Sequence, residues 1–171
     1  MVSFTKKIML FCLFISVSLF AGCGSTAKNQ MPDTKPKDFN FVFNYGVNAK
    51  NQLDTFKGQY TRDMITEESV TTELKLTEEE MNSIYLEMKK IDIMNYPDKF
   101  NPKGNVKSKP FTTYSLKIVI NKKEKNIYWK NEILSDTKEA NQLKEVFKKI
   151  YKVIESKEEY KKLPMPKGGY D

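Results

Sequence analysis

Asp38-Phe39-Asn40-Phe41-Val42-Phe43-Asn44-Tyr45-Gly46 is the stretch on which the fold turns. Phe39, Phe41, Phe43 and Tyr45 recur at every second position. Because successive side chains of an extended chain point to opposite faces, this spacing predicts a β-strand with one aromatic face. Asn40, Val42 and Asn44 occupy the other face, and Gly46 ends the run. An aromatic face of this size requires a layer to cover it.

Outward from that strand, the pattern predicts a second strand across Asp54–Asp63, with Phe56 and Tyr60 on one side and Gly58 between them. A third runs through Val70, Thr72, Leu74 and Leu76. Thr77 and Glu80 form a capping-box pair, and Leu76 is placed to staple onto Met81. A helix is therefore predicted to carry the stripe Met81, Ile84, Tyr85, Met88 and Ile91. Tyr114, Leu116, Ile118 and Ile120 predict a strand, Asn121–Lys125 a turn, and Ile127 and Trp129 the inward face of a partner strand. A second helix starts near Asp136 or Thr137 and presents Ala140, Leu143, Phe147, Ile150, Tyr151 and Ile154. Leu163-Pro164-Met165-Pro166 cannot continue it. The order strands, helix, strands, helix gives an α+β fold, a mostly antiparallel sheet with two amphipathic helices packed on one face, in a single domain over residues 38–171.

The first 22 residues have a different character. Lys6 and Lys7 precede an uncharged run from Ile8 to Phe20, the n-region and h-region of a signal peptide. As a helix the run reaches only ~20 Å, short of the ~30 Å hydrocarbon core of a bilayer. Leu19-Phe20-Ala21-Gly22-Cys23 then resembles the lipobox of bacterial lipoprotein precursors, with Phe20 standing where that pattern usually has Leu. The resemblance implies cleavage between Gly22 and Cys23 and acylation of Cys23, giving a lipid anchor on the extracytoplasmic face of the cell membrane. The same residues also fit a free thiol after an ordinary signal cut, or an uncleaved anchor. Residues 23–37, polar and with two prolines, read as the acylated cysteine and a flexible tether.

Composition removes several classes of function. The sequence has no histidine and two cysteines, Cys12 in the signal segment and Cys23 at its end. The domain therefore has no disulfide, no imidazole base, and no thiol or imidazole metal ligand; no cofactor and no metal site is expected. The net charge of +7 falls by two when Lys6 and Lys7 are removed. With acids interspersed among the lysines, no nucleic-acid partner is expected.

Three features invite a functional reading. The loop from Tyr96 to Pro110 holds three prolines, Gly104 and the lysines Lys99, Lys103, Lys107 and Lys109; loops of this length are often functional, so Tyr96 and these lysines are candidate interaction residues. Lys144, Lys148, Lys149 and Lys152 form a stripe that reads as a solvated helix face, with anionic headgroups as the alternative partner. Ser135-Asp136-Thr137-Lys138 resembles the S-x-x-K of penicillin-binding proteins, but the S-D-N and K-T-G companions are absent and helix capping explains the residues. Most aromatics are expected in the core, with Tyr45, Tyr60 and Tyr128 possible at a rim.

Tyr45-Gly46-Val47, Asp54-Thr55-Phe56-Lys57-Gly58 and Glu158-Glu159-Tyr160-Lys161-Lys162-Leu163-Pro164 carry a resemblance to small uncharacterised lipoproteins of Gram-positive bacilli. It implies location and a one-domain fold, without an activity. The expectation is a membrane-anchored, non-enzymatic binding or interaction module whose partner is an envelope protein or glycan. An immunity-like or envelope-protective lipoprotein and a small hydrolase are the alternatives.

Overall fold

The computed structural model describes residues 30–170. The signal peptide, Gly22 and Cys23 lie outside the described residues. Six strands form one antiparallel sheet in the order β4-β3-β2-β1-β6-β7. In chain order they are β1 Asn40–Tyr45, β2 Asn51–Asp54, β3 Gln59–Arg62, β4 Val70–Glu73, β6 Thr113–Ile120 and β7 Lys123–Lys130. A separate two-stranded ladder joins β5 Val106–Lys107 to β8 Ile133–Leu134. The helices are α1 Glu78–Lys90, α2 Lys138–Ser156 and the single turn α3 Glu158–Lys161, which adds a third helix to the two expected.

The aromatic strand β1 lies inside the sheet, paired with β2 on one side and β6 on the other. Phe39, Phe41 and Phe43 are buried, as their alternation requires. Phe43 stacks on Phe147 of α2 at 4.9 Å, and Phe39 meets Tyr85 of α1 edge-on at 5.1 Å. Both long helices therefore cover the same sheet face. The capping box that starts α1 is complete: Glu80 N donates to Thr77 Oγ1 at 3.2 Å and Thr77 N to the Glu80 carboxylate at 2.8 Å. Thr137 starts α2, accepting from Ala140 N at 3.3 Å.

The expected strand over Asp54–Asp63 is instead a hairpin of β2 and β3. The carboxylate of Asp54 accepts from Phe56 N at 3.0 Å and Lys57 N at 3.2 Å, bending the chain where a strand would continue. Gly58 completes the turn at φ +62°, a conformation costly for any residue with a Cβ. Phe56 consequently sits at the turn tip, 49% exposed, while Tyr60 is buried. The turn between β6 and β7 is also tighter than Asn121–Lys125. Asn121 and Lys122 both have positive φ, and the Asp38 carboxylate accepts from both backbone N–H groups at 3.0 and 2.7 Å. Those contacts offset the strain of a lysine in the left-handed region.

The expected tether does not extend to residue 37. Met31 is buried, Tyr85 Oη donates to Pro32 O at 2.6 Å, and Lys89–Asp33 and Lys35–Glu78 ion pairs lie at 2.7 and 3.0 Å. Apolar burial of Met31 and the carbonyl bond from Tyr85 fix a segment whose composition reads as flexible.

These contacts give the sheet two unlike ends. At the near end, where the chain arrives, lie residues 31–37, the turn Thr55–Gly58 and the Asn121-Lys122 turn, with α1 across them. At the far end lie Tyr45, Asn51, Arg62 and Thr113, with α2 across them; Tyr151 of α2 packs edge-on against Tyr45 at 4.6 Å. Among the described residues no helix is long and apolar enough to cross a membrane.

Candidate functional site

At the far end the inward row of β1 finishes in Tyr45, and that of β3 runs through Tyr60 to Arg62. Tyr45 and Tyr60 point the same way because each continues a period-two row, and their hydroxyls meet at 2.5 Å. The ring of Tyr60 lies 5.3 Å from Tyr160, at the end of α3, in an edge-on arrangement. Tyr45, Tyr60 and Tyr160 line a cavity of about 370 Å³ together with Asn51, Arg62 and Asp63. Burial pushes the Tyr45, Tyr60 and Tyr151 hydroxyls upward in pKa. They keep their protons at neutral pH and act as hydrogen-bond donors and acceptors.

Arg62 builds one wall of this cavity. Its guanidinium donates from Nη1 to Leu163 O at 3.1 Å and Pro164 O at 3.0 Å, from Nη2 to Tyr160 O at 3.3 Å, and stacks over the Tyr160 ring at 4.1 Å. A buried cation is costly without partners, and a planar fork satisfies several carbonyls at once where an ammonium does not. Arg62 therefore holds the C-terminal segment against β3. That segment continues over the site: Thr66 Oγ1 donates to Lys167 O at 3.1 Å, and Tyr170 Oη donates to the carboxylate of Asp63. Asp63 also accepts from Ile65 N at 3.1 Å and lies 4.0 Å from Lys50 Nζ. One buried cation and one buried anion, both partnered, leave a cavity whose remaining lining is hydroxyls, the Asn51 amide, aromatic edges and the apolar side chains of Val47, Ile65, Met165 and Pro166.

The loop expected to carry interaction divides into two parts. Tyr96 is a core residue: its ring is buried 5.5 Å from Phe100, and its hydroxyl donates to Glu139 O at 3.0 Å. Burial pushes its pKa up to about 12. Phe100 packs edge-on against Trp129 at 5.1 Å, and Phe100 N donates to Tyr128 O at 2.8 Å, fixing the start of the loop along β7. Lys99 lies beside Tyr128 there. The second part reaches past the far end of the sheet, where β5 pairs with β8. A Cβ on Gly104 would stand 2.1 Å from Leu134 O, so only glycine permits this close approach. Lys103, Lys107 and Lys109 are exposed on this part. Val106 and Leu134, register partners in the ladder, are both about half exposed. The structure thus separates Tyr96 from the lysines, and puts Lys103, Lys107 and Lys109 at the same end of the molecule as the tyrosine cavity.

Ser135 is buried in a capping arrangement, its Oγ accepting from Thr137 N at 3.3 Å. The lysines of α2 flank a helix over the far end; Lys148 pairs with Glu145 at 3.6 Å, and Lys144 donates to Ser135 O at 2.7 Å. Tyr128 lies on the open sheet face, away from Tyr45 and Tyr60. Arg62, Asp63, Asn51, Tyr160 and Tyr170 were not singled out by spacing. Arg62 carried a signal nonetheless, as the only arginine among 29 basic residues. No protein-family model matches the sequence, and no curated protein matches it.

Proposed function

We propose that this chain is a lipid-anchored, extracytoplasmic binding module, held to the cell membrane through Cys23, that presents its far end to an envelope partner. The observation that carries this reading is the opposition of the two ends. The described chain begins at the near end, and the tyrosine cavity and the exposed Val106-Leu134 ladder lie at the far one. Cys23 is seven positions ahead of Gln30, so even a fully extended connection reaches only about 25 Å. Two acyl chains hold a protein far more firmly than one, which makes such an anchor sufficient.

The cavity chemistry favours a neutral, hydroxyl- or amide-bearing ligand, which is the character of an envelope glycan. The tyrosine hydroxyls, and Asn51 with the amide N–H and lone pair left over from its bonds to Tyr45 O and Asp63 N, offer donors and acceptors, and aromatic edges offer apolar contact. Asp63, the one carboxylate lining the cavity, accepts from Tyr170 Oη and Ile65 N, which favours a structural role for it. The test is titration of the chain from residue 24 with soluble, uncharged N-acetylated oligosaccharide fragments of cell-wall glycan, followed by amide NMR. Shifts centred on Tyr45, Asn51 and Tyr60, weakened by Tyr60→Phe, support the reading; an unchanged spectrum at millimolar fragment contradicts it.

A further inference from the structure

The near end carries a lysine-lined groove that the far-end site does not use. Lys35, Lys37, Lys57 and Lys75 line a cavity of about 310 Å³ together with Asn40, Thr55 and Phe56. They come from three separate segments: the arriving chain, the β2–β3 turn and the residues after β4. Gly58 is what allows the last two to meet, because a Cβ there would stand 2.8 Å from the Lys75 side chain. Carboxylates are present too: Glu78 lies 3.0 Å from Lys35, Asp54 3.6 Å from Lys57 and Glu73 2.5 Å from Lys75. Lys75 and Glu73 are both strongly exposed, and a surface pair of this kind is weak, so Lys75 can exchange its carboxylate for another anion; Lys57 is exposed beside a buried Asp54, and Lys35, only 13% exposed, forms the floor of the groove against Glu78. Lys122 and Lys123 extend the basic rim on the adjacent turn, where the Asp38 carboxylate is occupied by backbone N–H groups.

Phe56 is the second element. It stands half exposed at the tip of a turn whose backbone is fixed by Asp54, with Lys57 beside it. An exposed aromatic flanked by lysines fits the boundary between headgroups and acyl chains, with the ring in the apolar layer and the ammonium groups at phosphate level. This end is also where the chain from Cys23 arrives.

We infer that the near end is a membrane-resting surface: Lys37, Lys57 and Lys75 receive the phosphates of anionic lipid headgroups, Phe56 enters the interface, and the far end is thereby directed away from the bilayer. The inference extends the proposed lipid anchoring, but its surface chemistry can be tested without acylation. A chain starting at residue 24, which retains every described element, is sedimented with vesicles of phosphatidylcholine alone or with added phosphatidylglycerol. Each lysine near an anionic surface contributes about fivefold in partitioning. Lys57→Glu with Lys75→Glu is expected to lower binding to the anionic vesicles by about twentyfold or more. Phe56→Ser lowers it severalfold, and Lys148→Glu with Lys152→Glu on α2 leaves it unchanged.

Equal sedimentation with both vesicle types overturns the inference, as does loss of binding in the α2 variant but not in the groove variant. Competition by millimolar glycerol phosphate or inorganic phosphate also overturns it, because the groove is then a site for a free phosphate. The mass of the mature N-terminus of the full-length chain, with and without Cys23→Ser, reports separately on the anchor. An unmodified Cys23 with intact vesicle binding removes the anchor and keeps the surface.

Discussion

The two ends of one sheet are built from the same strands by opposite means. At the far end, side chains close a cavity: tyrosine hydroxyls meet each other, and Arg62 and Asp63 pull the C-terminal segment over them. At the near end, backbone turns do the work, with Asp54 and Asp38 accepting from main-chain N–H groups and leaving the neighbouring lysines and Phe56 outside. Burying polar groups demands that each be partnered, so the far end is specific in shape; exposing charge demands little, so the near end is suited to a diffuse anionic surface. On the reading proposed above, one small fold separates attachment from recognition.

The strongest way to break this division is to remove what joins the halves. Phe43 sits in the middle of β1 against Phe147 and Tyr151 of α2. Phe43→Ala is expected to cost about 3–5 kcal/mol in urea unfolding and to disturb both ends together. A loss confined to far-end probes would show that the ends fold as separate units.

Arg62→Lys sharpens the comparison. The charge remains but the fork to three carbonyls does not, so a loss of about 1.5–3 kcal/mol is expected. Hydrogen exchange should rise in the C-terminal segment while the amides of Asn121 and Lys122 stay protected. Thr77→Ala makes the reciprocal test at the near end, costing about 1 kcal/mol through the lost cap of α1. The cavity tyrosines should give unchanged spectra.

The smallest effect at neutral pH concerns the buried tyrosines, and it appears only in alkali. Tyr96 is pushed up to about 12, and Tyr45 and Tyr151 are raised further, while an unfolded tyrosine ionises near 10. The unfolded chain therefore loses protons first as pH rises. Stability is fully present below pH ~10 and falls from there through ~12, with Tyr45 and Tyr151 prolonging the decline. Unfolding midpoints against pH, read beside tyrosinate absorbance, check the sign; a chain that gained stability above pH 10 would contradict the buried assignment.

Much of the frame was legible because it rests on periodicity. The alternation of Phe39, Phe41 and Phe43 located the central strand, and Thr77 with Glu80 located the start of α1. The sheet face shared by both helices followed from their apolar stripes. The hairpin at Asp54–Gly58 was not legible as such, because Phe56 and Tyr60 mimic a strand face and the deciding contact is a side chain bonding its own turn. Docking of Met31–Lys37 was hidden for a related reason: polar, proline-containing composition describes a free chain, while Tyr85 and Met31 fix it through contacts distant in sequence. The far-end site depends on Arg62 meeting carbonyls roughly a hundred residues away, a pairing no local pattern encodes. Tyr96 was misplaced in the interaction loop because the loop as a whole reads as polar, whereas its first residues fill space beside Trp129.

The opposition of the two ends is tested most directly by the membrane proximity of each end in the full-length chain, with the proposed acylation of Cys23 in place. No cysteine follows Cys23 in the sequence, so Lys57→Cys and Met165→Cys each introduce a single labelling position in the domain, one per end. With a fluorophore at each position in turn and the full-length chain processed into vesicles, quenching by spin-labelled lipid should be strong at residue 57 and weak at residue 165. Equal quenching at the two positions, or stronger quenching at 165, would contradict the account.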